Sequence, residues 1–352
     1  MASFPKKVFL ILTGFSFLYF FVSLGTIKSS IHYYLYPREG IYCYREDVPT
    51  IQDITEVSPP KGSSIFFHET SCNSFFNGKL FITPRQACAV ESAALLNPRR
   101  MVYLLFASPA VLKNEGSESD RMLEAILTYP NVRIHHLNYE KYTKGTPLED
   151  LYRSGEIETS YYAQSHASDV LRYLTLWKYG GIYLDLDVIV IKSLSNLPGN
   201  FAGSESEANV AAGILGFNST GIGHNLAKTC VNDLKNHFNG KEWGFNGPGV
   251  ITRLLKNICG ADKAKDMLKK DCQGFHVFPP ESFYAIPWWN WTMFIEEKSL
   301  KEVERLTKKS YMIHVWNKFS SKMKISLNSK VPYLMYANKY CPKVISQCDS
   351  YF

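Results

Sequence analysis

The stretch "DVLRYLTLWKYGGIYLDLDVIVIK", Asp169 to Lys192, decides how this 352-residue chain is to be read. Val170, Leu171, Leu174 and Trp177 recur at helical spacing and predict a helix from about Ala163 to Tyr179, with Gly180 as its left-handed stop. The run Ile182 to Lys192 that follows the two glycines is rich in β-branched residues and predicts a buried strand packed close to the helix. Within that apolar run stand two carboxylates, Asp185 and Asp187, with only Leu186 between them. Ionised carboxylates left unpaired in such a strand are costly, so they call for a cation. Strand alternation puts both on one side unless a kink turns one away. Hard oxygen donors at a strand end suit Mg²⁺ or Mn²⁺, which keep positions for water and phosphate oxygens, and this points to a diphosphate ligand. A lone D-x-D triplet also arises by chance at strand ends that face water; the apolar setting argues against that here. Asp169 and Arg172 share a helix face. A planar guanidinium can fork onto phosphate or sugar oxygens and a carboxylate can accept from hydroxyls, while a surface salt bridge is the plain alternative.

Outward from this stretch, strands and helices alternate. "SSIFFHET" (63–70) reads as a strand ending in polar residues. Thr83 and Pro84 open a helix that Asn97-Pro98 closes. "MVYLLFA" (101–107) and "NVRIHHLN" (131–138) are further strands, with an acidic helix at Asp120 to Leu127 between them. "NFAGSE" and "VAAGILGFN" read as strands, Gly223 to Phe238 as a helix, and Gly247-Pro248-Gly249 as a turn opening another. An aromatic loop and the strand-like "SYMIHVWNK" follow, and the tail from Ser321 is expected to be peripheral. The class is α/β, in which ligands bind at the carboxyl ends of strands.

Composition and ends set the compartment. With 45% hydrophobic and 14% aromatic residues the chain can bury a large core. The net charge of +7 is scattered, without an arginine-rich run or zinc-finger spacing, so nucleic acid is a poor partner. Lys6 and Lys7 precede an uncharged run, residues 8–27, long enough to span a bilayer as a helix. The expected organisation is a cytosolic tail (1–7), a transmembrane signal-anchor (8–27), a stem (28–62) aromatic enough for part of it to pack on the domain, and a luminal domain (63–352). Eight cysteines without a C-x-x-C pair suit disulfides, with Cys72–Cys88, Cys259–Cys272 and Cys341–Cys348 as local pairings and buried thiols as the alternative. Asn218 and Asn290 head N-x-S/T sequons. A homo-oligomer would be held through the anchor or stem.

"SHASDVLRYLTLWKYGGIYLDLDVIVIK" resembles the core motif of glycosyltransferases with a D-x-D metal site. "FFHETSC", "CAVESAALLNP", "WGFNGPGVITRLLK", "FPPESFYAIPWWNW" and "HVWNK", in this order, are similar to the lactosylceramide 4-alpha-galactosyltransferase (globotriaosylceramide synthase) family, over roughly Ser64 to Pro342. The resemblance implies a GT-A fold, a Rossmann-like mixed sheet with helices on both faces. It also implies a Golgi membrane protein of single-pass type II and a UDP-sugar donor, UDP-galactose or UDP-N-acetylgalactosamine. The acceptor would be a glycosphingolipid, with α-1,4 linkage and retention of configuration. In this chain Asp185 and Asp187 match the D-x-D, Asp169 and Arg172 the pair that holds donor sugar hydroxyls, and Tyr183 a tyrosine of the same motif. His314, in an H-x-W placement, resembles a third metal ligand, with Trp316 and Asn317 near the diphosphate. Imidazole suits Mn²⁺ better than Mg²⁺. Glu205, with Glu207 and Asn209, could line the donor sugar or acceptor, or sit in a solvated loop. Trp288, Trp289 and Trp291 could offer aromatic faces to an acceptor galactose, with burial in the core as the alternative. A non-catalytic binding protein on this fold would be expected to lose one of the four charged residues, and a glycosidase would want two facing carboxylates and no metal.

Overall fold

Strand β1 (Ile65–Glu69) and strand β2 (Val102–Phe106) are buried along their whole length, and with β3 (Val132–His136) they pair in parallel, Ile65 opposite Val102 and Val102 opposite Val132. Such strands must be covered on both faces. The alternation of side chains sends Ile65, Phe67, Leu104 and Phe106 into one core and Phe66, Tyr103 and Leu105 into the other. The computed structural model describes residues 40–352; the expected cytosolic tail, the anchor and the first part of the stem lie outside the described residues.

Helix α1 (Pro84–Leu96) starts where the sequence predicts, Thr83 and Gln86 forming a reciprocal capping box. Ser117 and Asp120 do the same for α2 (Glu118–Leu127). Helix α3 (Ala163–Tyr179) ends at Gly180, whose φ is 64°, and Gly181 follows at φ 92°. Space demands glycine as much as dihedral angle does. A Cβ on Gly180 would stand 2.5 Å from Ser219 N, and one on Gly181 2.4 Å from Ser64 O. Strand β4 (Gly181–Leu184) then enters the sheet parallel to β1.

The expected long strand breaks here. β4 stops at Leu184, residues 185–187 form a turn, and β5 (Val188–Val190) leaves the main sheet for an antiparallel pair with β9 (Met312–His314). The break takes two carboxylates out of a ladder whose faces are both apolar. Strand β6 (Phe201–Ser204), strand β7 (Val210–Phe217) and strand β8 (His276–Phe278) complete a seven-stranded mixed sheet in the order β3-β2-β1-β4-β7-β6-β8, with β7 antiparallel to both neighbours. Helices α3, α4 (Gly221–His237) and α5 (Pro248–Cys259) contribute to one core and α1 and α2 to the other, as the expected mixed sheet with helices on both faces requires.

Residues 40–62 of the expected stem pack on the domain, as their aromatic content allows. Ile54 is buried, His136 N–H on β3 donates to Gln52 O at 3.0 Å, and the segment thereby covers the sheet's open edge. Cys259–Cys272 forms as expected, but Cys43 bonds Cys72 and Cys88 bonds Cys341, while Cys230 and Cys348 are free thiols. Pairing by nearness in sequence fails because Cys88 faces inward from α1, where the end of the chain packs. That packing also corrects the expectation of a peripheral tail from Ser321. Helix α6 (Pro332–Tyr340) and the turn after it bury Tyr333, Leu334, Ala337 and Val344 in the same core as α1. The buried carboxylate of Glu91 on α1 accepts from Lys343 N–H at 2.9 Å and Val344 N–H at 2.7 Å. Among the described residues no helix is long and apolar enough to cross a membrane.

Arg85 pins this C-terminal segment. Its Nη1 donates to Ser320 O at 2.7 Å, and Nη2 donates to Met323 O and, at 3.3 Å, to Phe352 O, with the guanidinium 5.3 Å over the Tyr333 ring. Arg85→Ala strands these carbonyls. It should lower unfolding stability by about 3 kcal/mol, read by urea titration, and expose residues 316–325 to limited proteolysis.

Candidate active site

Asp185 leaves β4 with its N–H still donating to Gly213 O of β7 at 2.9 Å, so its side chain projects from the sheet's end. Three groups hold it. Arg172 Nη2 lies 3.1 Å from its Oδ1, Tyr183 Oη donates to the same oxygen at 2.7 Å, and His314 Nε2 is 3.8 Å from Oδ2. Arg172 Nη1 reaches Asp169 Oδ1 at 3.0 Å, so one guanidinium bridges two carboxylates. Asp169 and Arg172 are both buried, which disposes of the surface salt bridge. Arg172 also sits 5.0 Å over the Tyr183 ring, and its Nε, buried, has no hydrogen-bond partner among the described residues.

Asp187 is fixed through its backbone as well as its side chain. Its carbonyl accepts from Val315 N–H at 2.9 Å and its Oδ2 from Asn317 N–H at 2.8 Å. The antiparallel pairing of β5 with β9 sets His314 opposite Val188, and this brings His314 Nε2 to 3.2 Å from Asp187 Oδ1. Trp316 turns the chain with a left-handed φ of 56°, uncommon for a non-glycine residue, and its indole N–H donates to Ile286 O at 2.8 Å. Its ring packs 4.3 Å from that of His314.

The electrostatics follow from this packing. Burial pushes the Asp185 carboxyl up, but Arg172, His314 and Tyr183 outweigh it and hold the group at about 2. Burial and the charge of Asp185 raise Asp187 against the pull of His314. Burial opposes charge on His314, yet Asp187 and Asp185 together raise its pKa. Burial pushes Asp169 up to about 7 against the pull of Arg172. The ligand-type atoms of Asp185, Asp187 and His314 lie within 4.8 Å of one another. Two carboxylates and an imidazole this close, the carboxylates raising each other's cost of ionisation, fit a divalent cation of the Mn²⁺ or Mg²⁺ type.

A cavity of about 590 Å³ opens over this cluster. Of the residues that the sequence offers for the site, Asp169, Arg172, Tyr183, Asp185, Asp187, Glu205, His314, Trp316 and Asn317 line it. The hydroxyl proton of Tyr183 goes to Asp185, so this residue positions that carboxylate. Glu205 is partly buried, and burial raises its carboxyl. Glu207 instead faces solvent and pairs with Lys265 at 2.8 Å. Asn209 acts through its carbonyl, which accepts from Glu205 N–H at 3.1 Å. Of the three clustered tryptophans only Trp288 lines the cavity; Trp289 is exposed outside it and Trp291 is half-buried.

Several lining residues escaped the sequence reading. Tyr284 is buried with its ring 5.3 Å from that of His314 and its hydroxyl without a partner among the described residues. At the end of β1, Glu69 Oε1 accepts from Ser71 N–H at 3.1 Å and Ser71 Oγ–H at 2.7 Å, Oε2 has no partner among the described residues, and burial lifts the carboxyl to about 7. Burial, with Arg172 nearby, lowers His68 to about 3, so its imidazole is neutral. Their position at a strand's carboxyl end was the available signal. Gly213 and Gly247 matter for their missing side chains. A Cβ at Gly213 would lie 2.6 Å from Asp185 Oδ2, and one at Gly247 2.2 Å from Asp169 Oδ1.

Comparison with known proteins gives two family matches. Residues 83–203 match the glycosyltransferase sugar-binding region containing the DXD motif, and residues 219–348 match the alpha 1,4-glycosyltransferase conserved region. The chain is 34% identical to human lactosylceramide 4-alpha-galactosyltransferase over 343 residues, covering 95% of this chain and 91% of the human protein. It is 35% identical to the rat protein of the same name, covering 81% and 75%. Human alpha-1,4-N-acetylglucosaminyltransferase is 27% identical, covering 73% and 74%.

Gly213→Ala tests the contact between strand and carboxylate. The added methyl should displace Asp185 and weaken divalent-cation binding by on the order of 10–100-fold in calorimetric titrations with Mn²⁺ and with Mg²⁺, with the fold retained by circular dichroism. Unchanged affinity would show that Asp185 has room to move.

Proposed function

Because the chain belongs to the lactosylceramide 4-alpha-galactosyltransferase family, we propose that it transfers galactose from UDP-galactose to the terminal galactose of a lactosylceramide-like glycolipid, in α-1,4 linkage and with retention. The observation that carries this reading is the meeting of Asp185, Asp187 and His314 beneath a cavity whose wall is the Arg172–Asp169 bridge. The three residues would hold the divalent cation, Mn²⁺ in preference to Mg²⁺ because one donor is imidazole. When bound, such a cation supplies Lewis-acid neutralisation of charge on the departing diphosphate.

The protein's own groups do the positioning. Arg172 keeps Asp185 ionised and aimed, and Tyr183 locks the same oxygen. Asp169, acceptor-only when ionised, presents its remaining capacity to sugar hydroxyls. Asn317 N–H holds Asp187, while the fixed indole of Trp316 shields His314 from water. Glu205, on the cavity wall, would face the donor sugar or the acceptor. Retention is met if the acceptor hydroxyl attacks from the face that the leaving group departs, with the phosphate oxygen taking its proton. No covalent nucleophile is assigned.

Lys6, Lys7 and the apolar run after them suit a Golgi protein of type II topology, and the three disulfides suit an oxidising lumen.

Purified full-length protein with Mn²⁺, lactosylceramide and a panel of UDP-sugars should add one hexose from UDP-galactose, read by mass. Faster transfer from UDP-N-acetylgalactosamine would overturn the donor assignment. Asp187→Ala should abolish transfer. His314→Ala should raise the Mn²⁺ concentration for half-maximal activity by on the order of 10–100-fold. A lower maximal rate at an unchanged Mn²⁺ requirement would place His314 on the substrate instead.

A further inference from the structure

One side of the cavity mouth is aromatic, basic and exposed. Trp243, Trp288, Trp289 and Phe319 are 43%, 46%, 57% and 39% exposed, high values for such side chains. They form one connected run. Lys318 Nζ lies 3.6 Å from the centre of the Trp243 ring, Phe319 stacks on Trp288 at 5.7 Å, and Trp288 meets Trp289 edge-on at 5.5 Å. Trp243, Lys318, Phe319 and Trp288 also line the cavity, so the run is the rim of the mouth itself. Met323, 43% exposed, continues it along the chain.

Charge identifies the occupant. Between Trp316 and Lys330 the chain carries four lysines, at 318, 322, 324 and 330, and no acidic residue. Ala285 to Ile295, which supplies Trp288 and Trp289, carries no charge at all. Contiguous exposed aromatic surface of this kind marks an interaction site. Indoles, apolar with one polar N–H, settle at the boundary between hydrocarbon and water, and flanking lysines draw anionic headgroups. A protein partner of opposite charge would satisfy the lysines, but it would close the mouth that its rim surrounds. A bilayer beside the mouth does not.

We propose that this rim seats on a membrane surface containing anionic lipid, so that the sugar head of a bilayer-held glycolipid enters the cavity while its lipid stays in the membrane. The inference rests on the glycolipid acceptor proposed above. It also requires Asn290, exposed between Trp289 and Trp291, to be unmodified, because a glycan there would hold the rim off the bilayer.

The test uses full-length protein reconstituted in vesicles of phosphatidylcholine with or without phosphatidylserine. Transfer is measured to vesicle-embedded lactosylceramide and, in parallel, to a water-soluble lactoside. Trp289→Ser and the double variant Lys322→Glu/Lys324→Glu alter residues outside the cavity. Each should reduce transfer to the embedded acceptor roughly tenfold, the double variant most in vesicles that contain phosphatidylserine, with transfer to the soluble lactoside unchanged. Brominated phosphatidylcholine should quench wild-type tryptophan emission more than that of Trp289→Phe. Equal losses on both acceptors would mean that the rim grips the sugar, and equal quenching, or a glycan on Asn290, would mean that it faces water or a protein. Any of these overturns the proposal. Failure of the wild type on both acceptors would refute the acceptor assignment, while the quenching would still decide whether the rim meets lipid.

Discussion

A guanidinium held between two carboxylates governs the arrangement around it. Arg172, Asp169 and Asp185 are drawn together in a place where none could remain charged alone, and breaking such a buried set by removing one partner typically costs about 3–5 kcal/mol. The bridge ties a helix to the strand that follows it. Arg172 stands near the middle of α3 and Asp185 just past β4, so the chain must reverse within Gly180 and Gly181 for the two to meet. Those glycines are confined by Ser219, just after β7, and Ser64, just before β1, which close on the turn from other parts of the chain. The electrostatic bond and the tight reversal therefore each depend on the other.

From Asp185 the constraint passes to the far end of the chain. The turn that carries Asp187 is bonded by Val315 and Asn317, and these follow directly on His314. Strand β9 is short, and its position comes from pairing with β5 and from the segment behind it, which Arg85, Glu91 and the Cys88–Cys341 bond fasten to α1. A helix on one face of the sheet thus sets the height of an imidazole at the sheet's end. Loss of packing at the C-terminal segment and loss of chemistry are coupled here by a continuous set of hydrogen bonds, without any contact between Arg85 and the charged cluster.

What the sequence made legible was what depends on near neighbours. Thr83 and Pro84 open a helix within its own first turn, and the helix expected from about Ala163 to Tyr179 forms there because its stripe and its glycine stop are local. The charged cluster was legible too, because D-x-D, Asp169/Arg172 and H-x-W each lie within a few residues. The break in the strand at Leu184 was not, since Val188 to Val190 read equally well in either sheet and only β9, far downstream, selects one. The expected pairings of Cys72 with Cys88 and Cys341 with Cys348 failed for the same reason, while the local Cys259–Cys272 pair held. Gly213 and Gly247 carry no signal of their own; their value lies in carboxylate oxygens that approach from other elements. Tyr284 read as one more aromatic in an aromatic loop, and only its burial beside His314 with an unmatched hydroxyl sets it apart.

The order of strands explains why these groups meet where they do. The crossovers after β1 and β2 carry the chain toward β3, while β4 lies on the opposite side of β1, so the connections part between β1 and β4. In α/β sheets a crevice opens at such a switch point, outside the carboxyl ends of the two strands. His68 and Glu69 end β1, and Asp185 follows the end of β4; all three line the one cavity. Strand β7, antiparallel beside β4, then runs beneath the crevice and brings Gly213 under Asp185, where a parallel neighbour would have ended in a loop. The mixed sheet is thus functional in its own right. Its parallel half opens the crevice, and its antiparallel half supplies a side-chain-free floor that lets the carboxylate lie flat enough to face both Arg172 and His314.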